Sequence, residues 1–154
     1  MSNFTLAYLP VGVPTFELVS ANEQFEKSKK MLASLCENCV FPEEMLLSIE
    51  RLTAFLDSVK PDMIVFQNVT FANSAYISQV LKCFDCPLLI WTLREPVIDG
   101  GRLRLNSLTG AFSAANTVSY FRSGRFGYVF GSPDEDEVRK ETAAYIEAAK
   151  AKKE

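Results

Sequence analysis

The chain has 154 residues, a net charge of −3, 48% hydrophobic residues and no histidine. That apolar content suffices for one domain with its own core, while the acidic balance excludes a general nucleic-acid binder, which needs a basic face. Without histidine there is no Ser-His-Asp or Cys-His catalytic set. No apolar run approaches the ~20 residues of a membrane-spanning helix and no signal-peptide pattern opens the chain, so the expected location is cytoplasmic, with no membrane partner.

Strand and helix patterns alternate five times. Phe4 to Leu9 reads as a first strand, broken by Pro10-Val11-Gly12-Val13-Pro14. Thr15 is placed to cap a long helix with Leu18, Phe25, Leu32, Leu35 and Cys36 on its inward face. A short strand at Cys39-Val40-Phe41 follows, then a helix expected to start at Pro42 with Glu43 and Glu44 in its first turn. Met63 to Phe66 is a wholly apolar third strand, and Ile77, Val80, Leu81 and Phe84 mark the helix after it. Leu88 to Trp91 forms the fourth strand, and Leu108, Ala111, Phe112, Ala115 and Val118 the expected inner face of the fourth helix. Phe126 to Phe130 is the fifth strand. Ser132-Pro133-Asp134-Glu135 then reads as a capping box opening a last helix with Val138, Thr142, Tyr145, Ile146 and Ala149 inward.

This alternation predicts a single α/β domain over residues 1–154, a three-layer sandwich around a five-stranded parallel sheet in the flavodoxin-like order 2-1-3-4-5. Ligands of such sheets meet the carboxyl ends of the strands. Those ends carry Thr15 and Phe16 after the first strand, Asn68 and Thr70 after the third, and Ser132 after the fifth. After the fourth comes a polar loop of about sixteen residues, Thr92 to Ser107, where strand-to-helix loops usually take about 2–6. Its Arg94, Arg102 and Arg104 are solvated charges, subunit contacts or ligand contacts. Trp91, at the strand's end, is either a cap on the core or a stacking surface for a ligand.

The four cysteines form two C-x-x-C pairs, Cys36/Cys39 and Cys83/Cys86. Each pair falls where a helix ends and a strand begins. In the expected strand order the two pairs lie three strand spacings apart, about 14 Å, too far to share one zinc ion. A redox pair would sit at a helix amino terminus instead, so inert thiols are expected. The loop after the first strand lacks the Ser/Thr/Gly run of a flavin-phosphate site, and no G-x-G-x-x-G or Walker motif is present.

Several stretches resemble the amino-terminal domain of the L-fucose isomerase / L-arabinose isomerase-like family: Pro14-Thr15-Phe16-Glu17, Asn68-Val69-Thr70-Phe71, Pro87 to Glu95, Gly100-Gly101-Arg102-Leu103, Asn106 to Gly110, and Phe126 to Pro133. The chain departs from that pattern at Val13, where many members carry arginine. The resemblance implies a parent about three times longer. That parent would use a divalent metal, typically Mn2+, held by Glu, Asp and His of later domains, with no cofactor bound by this chain.

The expected role is therefore substrate positioning and assembly within an aldose–ketose isomerase, with the remaining domains, neighbouring subunits and a small sugar as partners. No catalytic or metal-binding residue is expected in this chain. Trp91, Arg94, Asn68, Thr70 and Phe16 are the residues expected to meet the sugar, and the Trp91–Ser107 segment is expected to be mobile or to contact a partner. The alternative reading is a self-contained flavodoxin-like module binding a small polar ligand at the same edge.

Overall fold

The computed structural model describes residues 3–122 and 125–154. Five strands, β1 (Leu6–Val11), β2 (Cys39–Val40), β3 (Met63–Asn68), β4 (Leu88–Thr92) and β5 (Gly127–Phe130), form one parallel sheet in the order β2-β1-β3-β4-β5. Every residue of β1, β3 and β4 is buried, as continuous apolar runs covered on both faces require. Helices α1 (Leu18–Leu35) and α5 (Asp136–Lys153) cover one face. There Phe25, Leu32, Val138 and Ile146 meet Leu6, Tyr8, Val65, Leu89 and Trp91. Helices α2 (Ile49–Asp57), α3 (Ser74–Cys83) and α4 (Ser107–Arg122) cover the other. There Leu52, Leu56, Ile77, Val80, Ala111 and Val118 meet Ala7, Leu9, Ile64, Phe66 and Ile90. The fold class and strand order are those the alternating pattern predicts.

The helix starts differ from the expected ones. Residue Thr15 sits in a turn, and α1 is capped by Glu17, whose carboxylate accepts from the N–H groups of Val19 (3.0 Å) and Ser20 (2.7 Å). A carboxylate there satisfies two orphan donors and meets the positive end of the helix dipole. No helix begins at Pro42 either. The segment stays extended, with Leu46 bridged to Val11: the Leu46 N–H donates to the Pro10 carbonyl at 2.8 Å and the Gly12 N–H to the Leu46 carbonyl at 3.3 Å. Because β2 is only two residues long, the end of β1 would otherwise keep unpaired backbone groups in a buried place. Helix α2 starts instead after Ser48, whose hydroxyl accepts from the Arg51 N–H at 3.2 Å.

Helix α5 likewise begins beyond its expected cap. Residues Ser132 to Glu135 form the turn before it, the Glu135 carboxylate accepting from the Ser132 N–H. In α4 the buried residues are Ser107, Gly110, Ala111, Ala114, Val118 and Arg122, whereas Leu108 and Phe112, expected inward, are 45% and 68% exposed.

The strand order places β1 and β3 between β2 and β4, keeping the two cysteine pairs apart. Burial, with a small push from neighbouring Cys36, raises the Cys39 thiol to about 12, and burial raises Cys86 to about 11. Cys83 is exposed. A thiol-specific reagent at mildly alkaline pH should therefore label Cys83 first, and Cys39 and Cys86 only as the chain unfolds. Mass mapping of the modified peptides checks this; early labelling of Cys39 would contradict it.

Candidate functional site

The carboxyl edge of the sheet is organised around the end of β3. Asn68 and Thr70 are 1% and 0% exposed, so they brace loops rather than face solvent. Thr70 Oγ1 accepts from the Val13 N–H at 2.9 Å and donates to the Phe71 carbonyl at 3.0 Å, tying the β1 loop to the β3 loop. Gly12 permits this approach, since a Cβ there would lie 2.7 Å from Thr70 Oγ1. The Asn68 side chain lies against the backbone of α4, where a Cβ on Gly110 would come within 2.5 Å of Nδ2. Its carbonyl accepts from the Ser107 hydroxyl, and that same Oγ accepts from the Leu93 N–H at 2.9 Å.

The loop after β4 is a strap with an anchored base. The Glu95 carboxylate accepts from the backbone N–H groups of Arg104 (3.0 Å), Leu105 (3.2 Å) and Asn106. Leu93 and Leu105 are buried beneath it. The Leu105 carbonyl accepts from the Phe71 N–H at 2.8 Å, and the Arg104 carbonyl from the Glu17 N–H at 3.1 Å. The strap thus crosses from β4 to the loops after β1 and β3. Residues 96–103 between these anchors are exposed, Ile98 at 81%. A segment mobile throughout does not fit this bonding.

Trp91 requires a correction. It is 0% exposed, packs in the core beside Val129 and Val138, and donates its indole N–H to the Gly131 carbonyl at 2.8 Å. No ring face is open for a sugar. On β4 its side chain faces the α1 and α5 layer, within the cluster of Phe25, Val138 and Ile146. Arg94 is half-exposed, but its guanidinium makes two bonds to Glu135 (3.1 and 2.8 Å) and stacks on Phe130 with 4.8 Å to the ring centroid. Its fork is therefore already occupied.

Phe16, among the five expected residues, lines a cleft. It contributes to a cavity of about 280 Å³ with Thr15, Glu17, Arg102, Leu103 and Arg104. Arg102 stacks on Phe16 (4.8 Å to the centroid), Phe71 supports that ring from 6.3 Å, and Arg104 faces Asp99 at 3.7 Å. Two guanidinium groups, a hydroxyl and an aromatic face suit an anionic, hydroxylated small molecule. Glu17 is held below the usual carboxylate range by its bonds to Ser20, so it stays an acceptor rather than an acid. Glu95 and Ser107, which build the strap's base, fall inside the Pro87 to Glu95 and Asn106 to Gly110 stretches, but neither is singled out there. Only their distant backbone partners reveal them.

No grouping of three or more His, Cys, Asp or Glu side chains able to hold a metal ion occurs among the described residues. A manganese ion therefore has no matching donor set in them. No helix among them is long and apolar enough to cross a membrane.

No family model matches the chain. Curated relatives do. The chain is 56% identical over 148 residues to a protein named sulfoquinovose isomerase from Clostridium sp. (strain MSTE9), spanning 96% of this chain and 33% of that protein. It is 41% identical over 138 residues to one of the same name from Priestia aryabhattai, spanning 88% of this chain and 30% of the relative. A third, from Alkalicoccus urumqiensis, is 35% identical over 138 residues. The chain thus spans about a third of the length of the relatives it matches. A solved azoreductase from Bacillus anthracis str. Sterne aligns over 96% of the chain at 13% identity and a TM-score of 0.40, too loose a likeness to bear on function.

Two outcomes follow from the packing. Replacing Trp91 with Ala should cost ~3–5 kcal/mol in urea unfolding, as expected for a large buried aromatic; a loss below ~1 kcal/mol would contradict its place in the core. Glu135 is held below its ordinary value by its bond to Arg94, so its contribution is present above the unfolded pKa and lost as pH falls through the lower folded one. The melting-temperature gap between wild type and Glu135→Gln should therefore be largest near neutral pH and close only below pH 4.5, the ordinary value.

Proposed function

We propose that this chain is a substrate-positioning and assembly domain of a sugar aldose–ketose isomerase acting on sulfoquinovose, not catalytic by itself. The observation that carries the reading is 56% identity over 96% of the chain to a third of a protein named sulfoquinovose isomerase. The geometry is consistent with it. Sulfoquinovose is a hexose bearing a sulfonate, and the cavity beside the strap offers Arg102 and Arg104 to an anion and Thr15 to a hydroxyl. An aldose–ketose isomerisation moves a proton between adjacent carbons and needs an acid–base pair or a metal at the reacting atoms. Here the carboxylates nearest the cavity are otherwise engaged: Glu17 caps α1, Glu95 holds the strap, and Asp99 pairs with Arg104.

In this reading the proton transfer and the Mn2+ belong to other parts of a longer polypeptide, as in the L-fucose isomerase-like pattern. This domain orients the charged end of the substrate, excludes water and contacts the remaining domains and neighbouring subunits.

The test is kinetic. In the full-length isomerase, Arg102→Ala with Arg104→Ala should raise KM for sulfoquinovose about 10-fold or more while leaving manganese affinity unchanged, because charge-assisted bonds to the anion are lost away from the reacting carbons. An unchanged KM in a folded variant overturns the role of the cavity. The 154-residue chain alone should form no ketose from sulfoquinovose with manganese present. Turnover that survives repurification and disappears on a carboxylate substitution overturns the non-catalytic assignment.

A further inference from the structure

Helix α4 lacks the charged outer face of an ordinary surface helix. Its sixteen residues contain no Asp, Glu or Lys. The lone charge, Arg122, turns inward to the carbonyls of Phe84 and Cys86. By contrast α5, on the opposite layer, carries Asp136, Glu137, Arg139, Lys140 and Glu141 in its first two turns. Four residues apart along the outside of α4 lie Leu108, Phe112, Asn116 and Tyr120, and such spacing makes a single row. Leu108, Phe112 and Tyr120 are 45%, 68% and 84% exposed. The opposite side of the helix holds Gly110, Ala111, Ala114 and Val118 against the sheet. The helix is therefore apolar on its inner side and uncharged, with exposed rings, on its outer one.

The surface continues beside it. A groove of about 290 Å³ runs between α4 and the edge strand β5, lined by Leu108, Ala111, Phe112, Ala115, Phe126 and Tyr128. Tyr128 and Phe130 on that strand are 40% and 41% exposed. At about 150–250 Å² per aromatic side chain, the open parts of Phe112, Tyr120, Tyr128 and Phe130 amount to on the order of 500 Å². A standard interface takes ~800 Å² from each partner, and the small polar residues between these rings can supply the rest. Aromatic enrichment with charge depletion is also the composition of an interface centre.

We infer that this face packs against the same face of a second copy of the chain, around a two-fold axis near Asn116. The row's two exposed rings, Phe112 and Tyr120, are evenly spaced about that point. Phe112 lies four residues before Asn116 and Tyr120 four residues after it, so a two-fold rotation sets Phe112 of each copy over Tyr120 of the other. The helices then run antiparallel. Ser113 and Thr117 beside the axis are small enough for close approach, and the Asn116 amide, both donor and acceptor, can bond its own copy. A charged partner finds no counter-charge on this face. The inference does not depend on the isomerase assignment.

Sedimentation of the purified chain should show a dimer at micromolar concentration. Phe112→Glu and Tyr120→Glu should each give a monomer with an unchanged circular-dichroism spectrum. In a Cys83→Ser background, Asn116→Cys should form a symmetric disulfide under mild oxidation, since facing helix backbones meet the ~4.4–6.8 Å Cα separation a disulfide requires. Lys140→Cys on α5 should not. The cross-link decides the matter even if a glutamate variant fails to fold. A wild-type chain that stays monomeric well above micromolar concentration means another occupant, such as further polypeptide of a longer isomerase, and overturns the inference. So does a dimer that persists in both glutamate variants and cross-links no faster at 116 than at 140.

Discussion

The structure depends on how the polar end of its central strand is buried. Strand β3 lies between β1 and β4, and all six of its residues are buried, including the polar pair Gln67 and Asn68. A buried amide with no partner costs about 1–3 kcal/mol, whereas a satisfied one contributes about 1. Gln67 is satisfied on the α1 side: Tyr8 donates its hydroxyl to Oε1, and Nε2 donates to Ser28 Oγ at 2.9 Å. Burial pushes the Tyr8 phenol well above its ordinary value, so it remains the donor this arrangement needs. Asn68 turns the other way, toward α4, where Gly110 leaves room for its side chain; Ser107 bonds its backbone carbonyl, while its side-chain Oδ1 is buried without a hydrogen-bond partner. Two successive residues thus pin the two helical layers to the same strand end.

That buried end also anchors a long loop. Chain ordering costs roughly 1–2 kcal/mol of backbone entropy per residue, so a strap from Leu93 to Asn106 persists only where bonds offset it. Glu95 supplies part of this with one carboxylate that gathers three backbone N–H groups. Asn106 takes a left-handed conformation, φ 54°, that lets the chain turn into α4 directly after the last of these bonds. Arg102 and Arg104 follow from this anchoring. They sit beside Phe16 because the Arg104 carbonyl is held by the Glu17 N–H.

The sheet and its order were legible in the sequence because buried parallel strands are short apolar runs, and Met63 to Phe66 and Leu88 to Trp91 have no other plausible state. The helix starts were less so. At Thr15 and Pro42 local propensity favoured caps, but the backbone needs of the neighbouring strand prevailed: Leu46 serves Pro10 and Gly12, and that keeps the chain extended to Ser48. In α4 an apolar pattern cannot say which side is inward when apolar residues lie on both, so Leu108 and Phe112 looked like core. Trp91 and Arg94 were read as ligand contacts because they end a strand at the ligand-binding edge. Which face a strand residue takes, and whether an arginine already has a carboxylate such as Glu135, are settled by tertiary partners 40 and 41 residues away.

The sheet edge and the α4 face meet at Ser107. This residue begins α4, and its hydroxyl joins the Asn68 carbonyl to the Leu93 N–H, the first backbone group of the strap. Gly110, one turn later, is fitted against the Asn68 amide with no spare space. Close-packed contacts of this kind do not deform gradually, so α4 and the strap's base shift together or not at all. A neighbour seated on Phe112 and Tyr120 therefore fixes the helix from which the Arg102–Arg104 cavity takes its position. Under the two proposals made above, the helix that would meet a neighbour also braces the loop that would meet a ligand.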